Sequence, residues 1–181
     1  MKNNICFIIY FRFLLQILGA VFMTALILTL MSVDSTSQLL WAVGAGSLAS
    51  TVFIIFTLPN SLVAEPRRIV GGYLIAFVMG SLVHLGLREI FDFVSSHFIL
   101  QNAHVFWISG AVAMGLAMIL MVLLDSQHPP AAGFSLVLVL GLREYYTLGI
   151  ILLSVFILAL IKCFLAPWLM DLNKSVWIKK I

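Results

Sequence analysis

The stretch that decides the fold runs from Leu123 to Leu142, "LLDSQHPPAAGFSLVLVLGL", where Asp-Ser-Gln-His and a double proline interrupt a chain that is otherwise apolar on both sides. Proline has no N–H and its ring clashes with the preceding turn, so a helix accepts it only in its first turn. Pro129-Pro130 therefore predicts a helix start, with the residue before it pushed toward extended backbone. The helix that follows, Pro129 to Leu142, has about fourteen residues and reaches only about 21 Å, short of the ~30 Å hydrocarbon core of a bilayer. A helix that begins inside a membrane leaves backbone N–H groups without partners, which is tolerated only where they are buried in protein or line a cavity.

Composition places the chain in that setting. Of 181 residues, 63% are hydrophobic and 9% charged, whereas a soluble domain carries about 25% charged residues. Long apolar runs read as about Phe13–Met31, Leu39–Leu58, Ile69–Leu87, Ala103–Leu124, Pro129–Leu142 and Tyr146–Trp168. The expectation is an all-α, polytopic membrane helical bundle of about six segments, forming one transmembrane domain over residues 1–181. The apolar N-terminus reads as an uncleaved first span. Cys6 and Cys163 lie far apart in apolar surroundings and read as small buried hydrophobes.

With six crossings and the N-terminus inside, Lys2, Arg67, Arg68, Lys174, Lys179 and Lys180 all fall on the cytoplasmic side, and the outer loops keep Arg88 and Arg143. That bias satisfies the positive-inside rule and predicts both termini in the cytoplasm of a bacterial plasma (inner) membrane. Trp41, Trp107, Tyr145 and Tyr146 then mark the outer interface, and Tyr10, Tyr73 and Trp168 the inner one. The segments divide into two sets of three, about 13–88 and 103–168, each with a compromised middle segment. Three is odd, so the second set must be inverted relative to the first. This is the plan of many transporters, whose interrupted segments point to the binding site.

Those interruptions supply the candidate site. At the start of the fifth segment, His128, Pro129, Pro130, Ala131, Ala132 and Gly133 would present helix-start donors and the positive end of the helix dipole to a small anion. In the second segment, "WAVGAGSLAST" (Trp41 to Thr51), Gly44, Gly46, Ser47, Ser50 and Thr51 could unwind a helix start and add hydroxyl donors. The same Pro-Pro pair also reads as a plain loop-to-helix boundary capped by His128. Glu65, Arg67, Arg68 and Asp125 stand at the expected cytoplasmic mouth as coupling or field-shaping charges.

Two blocks carry a family resemblance: "HPPAAGFSL", His128 to Leu136, and "TLPNSLVAEPRRIVGGYLIA", Thr57 to Ala76. The chain resembles the HPP family of integral membrane proteins over roughly Trp41 to Gly141. Members from plastids and cyanobacteria are associated with nitrite transport, so the resemblance implies a small planar anion as substrate. Glu65, Arg68 and Tyr73 replace the Gln, Asn and His of the family pattern, and Phe134 stands where a threonine is frequent.

No enzyme signature is present: the chain has no His-x-x-x-His pair, Gly-x-Ser-x-Gly or phosphate loop. The expectation is a non-enzymatic transporter or channel for a small inorganic anion, nitrite foremost, with no metal, cofactor or nucleic acid. Its partners are the anion and bilayer lipid, with a homo-oligomer open. The alternatives are a non-catalytic sensor or assembly subunit, and an intramembrane enzyme using His128 with Asp125 or Glu65. Arg12 and Gln16 are expected to snorkel, and Gly72, Ala76 and Gly80, four apart, to form a close-packing face.

Overall fold

The computed structural model describes residues 2–31, 38–94, 102–140 and 145–172, with side chains described over 11–29, 42–86, 108–139 and 147–172. Arg143, Lys174, Lys179 and Lys180 lie outside the described residues, as do the side chains of Lys2, Cys6, Tyr10, Trp41, Arg88, Trp107, Tyr145 and Tyr146. The described chain is all helical: α1 Lys2–Met31, α2 Gln38–Thr57, a 3₁₀ turn Leu62–Ala64, α3 Pro66–Val94, α4 Asn102–Leu123, α5 Pro129–Leu140 and α6 Tyr145–Leu165. Three of these are long and apolar enough to cross a membrane, within Phe11–Thr29, Pro66–Gly86 and Thr147–Leu165. The outward surface is greasy, with Phe22, Ile119, Val122, Leu153 and Phe164 all more than half exposed. Burying that surface in water-free surroundings removes the penalty such apolar area carries in a soluble protein.

The short fifth segment is the hub. At 12 residues α5 spans about 18 Å, and it packs against α2, α3 and α4. His128, Ala131, Phe134, Ser135, Val137 and Val139 are all fully buried. Glycines let the neighbours come close. A Cβ at Gly72 would stand 2.8 Å from His128 Cβ, and one at Gly80 would stand 2.8 Å from Leu138 Cβ and from Ser135 O. Gly71 makes the same allowance for Ser126. The Gly72–Ala76–Gly80 face is thus the seat of α5, as its four-residue spacing predicts.

Both α3 and α5 open on proline, at Pro66 and Pro129, where the missing N–H costs nothing. The turn into α5 ends α4 in a Schellman arrangement: Ser126 N–H donates to Met121 O (2.8 Å) and Asp125 N–H to Val122 O (3.3 Å). Asp125 takes the left-handed position, φ 49°, which glycine usually fills and aspartate tolerates.

The second segment corrects the expectation. α2 is a continuous 20-residue helix, so Gly44, Gly46, Ser47, Ser50 and Thr51 lie in a helix interior and unwind nothing. Ser50 and Thr51 hydroxyls lie within bonding reach of the carbonyls of Gly46 and Ser47, four residues back, which accommodates them without breaking the helix. Three further expectations are corrected. Tyr73 is fully buried in the core rather than at an interface. Gln16 is buried instead of snorkelling, donating from Nε2 to Phe56 O and Met170 O, both 2.9 Å away. Cys163 is free and exposed, while Trp168 is 70% exposed, as an interface residue would be.

Exchanging the first three helices for the last three maps the principal packing partners onto one another. α1 lies on α2 as α4 lies on α5, α2 meets α6 as α5 meets α3, and α3 meets α4 as α6 meets α1, although these contacts are unequal in extent.

Candidate functional site

Polar side chains gather where α5 begins. His128 is fully buried, with its Nδ1 2.8 Å from Val63 O in the 3₁₀ turn and its Nε2 2.9 Å from Thr51 Oγ1. A carbonyl only accepts, so Nδ1 carries the ring hydrogen in the neutral tautomer and Nε2 accepts from Thr51. Thr51 Oγ1 is also 3.0 Å from Tyr73 Oη, which is 2.7 Å from Ser47 Oγ. Ser47 Oγ donates to Pro130 O at 2.7 Å. An unbroken chain of polar contacts therefore runs from the 3₁₀ turn through α3 and α2 to the first turn of α5.

Each member owes its place to local sequence. Ser47 and Thr51 are four apart on α2 and share its inward face, whereas Gly46 and Ser50 are exposed on the opposite side. Tyr73 lies on the same stripe of α3 as Ile69, Ala76 and Gly80 and is held between two rings, His128 at 5.8 Å and Phe134 at 5.6 Å between centroids. Phe134 thus contributes packing to the tyrosine rather than a hydroxyl. Sequence reasoning missed Tyr73 as a site residue. Its position beside Gly72 on the packing face was the available signal.

The donors expected at positions 129–131, the first turn of α5, are not on offer. Of the N–H groups a helix start normally leaves open, those of positions 129 and 130 are absent because both are prolines, and Ala131 N–H donates to His128 O at 2.9 Å. Carbonyl oxygen, not N–H, faces Ser47. The polar groups of this centre are side chains: two aliphatic hydroxyls, a phenol and an imidazole. Of the remaining expected residues, Ala131 packs beneath Gly72, Pro129 is exposed, and a Cβ on Gly133 would meet open space. Gly44 is buried in α2.

Below His128 the loop charges form a clasp. Arg68 pairs with Asp125 at 2.8 Å and with Glu65 at 3.2 Å, and also donates to Gln127 Oε1. The clasp ties the 3₁₀ turn to the α4–α5 turn. Arg67 is exposed beside it. Both carboxylates expected to serve His128 are therefore turned to Arg68, and neither ring nitrogen of His128 faces an acid. Among the described residues no group of three or more His, Cys, Asp or Glu side chains could hold a metal. On the α4 side a cavity of about 170 Å³ reaches His128, lined by Met114, Met118, Met121, Val122, Gln127, Pro129 and Ala132.

Comparison with known proteins fits this architecture. Residues 8–175 match the family described as HPP, transmembrane region. A transmembrane protein of Dictyostelium discoideum is 31% identical over 99 residues, covering 55% of this chain and 30% of that protein. A second transmembrane protein from the same organism is 28% identical over 99 residues, covering 55% of the chain and 28% of its own length. The chain thus spans under a third of these relatives. No solved structure matches it. With nearly its whole length matched and the short helix behind His128-Pro129-Pro130 at its hub, the chain belongs to the HPP family of integral membrane proteins.

Proposed function

We propose that this protein transports a small inorganic anion, with nitrite the leading candidate, and that Ser47, Thr51, Tyr73 and His128 handle it. The observation that carries the reading is the buried hydroxyl–imidazole chain at the head of a helix too short to cross. Ionisable groups inside a membrane are costly to keep and mark ion pathways by default, and a shortened helix at the centre of paired three-helix sets is the usual seat of a transport site. The exchange-symmetric packing supports an inverted repeat over about 13–88 and 103–168, within one transmembrane unit. Neutral donors without lysine or arginine suit a monovalent anion, which they bind weakly enough to release. In this reading the clasp of Glu65, Arg68 and Asp125, with Arg67 beside it, faces the cytoplasm, as do both termini.

Purified protein in liposomes is expected to take up nitrite faster than empty vesicles, and Tyr73→Phe to lower that rate at least several-fold while leaving the protein folded. A second reading, a membrane sensor or assembly subunit, draws on the closure of the cluster, since His128 is fully buried and the cavity beside it is mostly apolar. Flux equal to that of empty vesicles across nitrite, nitrate, formate and chloride selects the second reading.

A further inference from the structure

The cavity on the α4 side offers a different chemistry from the polar chain behind it. Its α4 wall is Met114, Met118, Met121 and Val122, which recur every three or four residues or lie next to one another and so share one stripe of the helix. Met118 and Val122 are also 50% and 61% exposed, as are their sequence neighbours Ile119 and Leu123 on the outer surface. The mouth therefore opens among residues that face lipid, and a guest reaches it dissolved in the bilayer. At about 170 Å³ the space exceeds the roughly 150 Å³ in which an apolar protein cavity holds benzene, so one six-membered ring fits. Thioethers adapt to the shape of a guest and make favourable contacts with aromatic rings, so three of them on one wall favour a flat ring over a saturated chain.

One hydrogen-bond donor narrows the choice. Two polar side chains line the cavity, His128 and Gln127. Both ring nitrogens of His128 are already taken, by Val63 O and Thr51. Gln127 is not so engaged. Arg68 has only donors, so the Gln127 atom it meets is the amide oxygen and the NH₂ group is turned away from it. Among the described residues that NH₂ group has no acceptor. Leaving a half-buried amide N–H pair unmatched is costly, and a carbonyl oxygen on the guest relieves it. No lysine or arginine lines the cavity, so a full negative charge finds no counter-charge there and the guest is neutral.

We propose that this cavity binds the ring of a lipid-soluble carbonyl compound, the chemistry of a quinone headgroup, with a carbonyl oxygen accepting from Gln127 Nε2 and the ring lying against the α4 thioethers. The site borders His128 but stands independently of the transport reading. Duroquinone tests it, because its fully substituted ring has no open position for the exposed Cys163 to add to. Durene, the same tetramethylated ring without carbonyls, is the control. Equilibrium dialysis of the purified protein in a non-ionic detergent, with protein-free micelles subtracted, measures binding, and infrared spectroscopy reads the carbonyl stretch. The expected result is one duroquinone per chain, bound about fivefold tighter than durene, as one neutral hydrogen bond implies, with a carbonyl band moved to lower frequency. Gln127→Met should bring duroquinone down to the affinity of durene and return the band to its free position. Val122→Trp, at an exposed position that leaves the fold intact, should block the mouth to both rings. Equal binding of durene and duroquinone, or a band shift that survives Gln127→Met, overturns the pairing of carbonyl with amide. Binding no greater than in protein-free micelles, or undiminished in Val122→Trp, overturns the site.

Discussion

Gly72→Ala puts the packing of α3 against the α5 entry to a quantitative test. The added methyl would stand 2.8 Å from His128 Cβ, 3.2 Å from Ser126 O and 3.3 Å from Ala131 Cβ. Carbon atoms in comfortable contact are about 3.5–4.0 Å apart, so the two elements must part by roughly 0.7–1.2 Å. None of the three obstacles is a flexible tip: two are Cβ atoms fixed to backbone and one is a carbonyl. Overpacking of this kind costs about 1–3 kcal/mol. If His128 moves that far from α2, its bond to Thr51, now 2.9 Å, opens to roughly 3.6–4.1 Å, beyond hydrogen-bond reach, and losing a buried bond adds about 1–3 kcal/mol. Alanine returns about 1 kcal/mol as a better helix former. The net destabilisation, about 1–5 kcal/mol, corresponds to a Tm lower by roughly 2–20 °C for a chain of this size. Thermal unfolding in a mild detergent, followed by tryptophan fluorescence, measures it. Gly115→Ala serves as the contrast, because nothing lies within 4 Å of a Cβ there. Its Tm should hold or rise by a few degrees, about what a kcal/mol of helix propensity gives. A Gly72→Ala protein as stable as the Gly115→Ala protein would refute the close-packed entry and with it the fixed position of His128.

Other outcomes follow from the same geometry. Position 125 should rank glycine above asparagine above valine in stability, with valine lowered by about 1–2 kcal/mol, because a β-branched residue resists the left-handed turn. A flat ranking by thermal unfolding would contradict the turn. Arg68→Lys should weaken the clasp, since an ammonium does not reproduce the fork that reaches Glu65, Asp125 and Gln127 at once. Faster proteolysis within residues 60–66 would report it, and cleavage at the parental rate would count against it. Gln16→Leu should strand the carbonyls of Phe56 and Met170, at about 1–3 kcal/mol for each left unsatisfied. Limited proteolysis near Pro167–Asp171 should quicken, and an unchanged digestion pattern would show the glutamine to be dispensable.

The sequence made the class, the six helices and the proline starts at 66 and 129 legible, because apolar run length and the missing N–H of proline act locally. The packing face at Gly72, Ala76 and Gly80 was legible for the same reason. The candidate site was legible by half. Ser47, Thr51 and His128 do meet, but the chemistry first assigned to them, backbone N–H at two broken helices, does not hold. Glycine and hydroxyl residues weaken a helix by only about 1 kcal/mol or less each, and the seat of α2 on α5 and α1 outweighs that. Likewise, the double proline that marks the start of α5 is what deprives it of donors. Tyr73 and Gln16 stayed hidden because both depend on partners far along the chain, 26 residues to Ser47 and 154 to Met170. A tyrosine near a span end reads as an interface anchor until the register of α3 against α5 is known.

The far end of α2 has a consequence for biogenesis. A helix cannot satisfy its own last carbonyls, and at Phe56 and Thr57 the missing donors are Gln16 and the N–H of Leu172. Asp171 accepts from Asn60 in the same corner. One partner is made before α2 leaves the ribosome, but the other is synthesised more than a hundred residues later. The first hairpin therefore enters the lipid with an unfinished seam, and translation must pass α6 before that seam can be sewn shut.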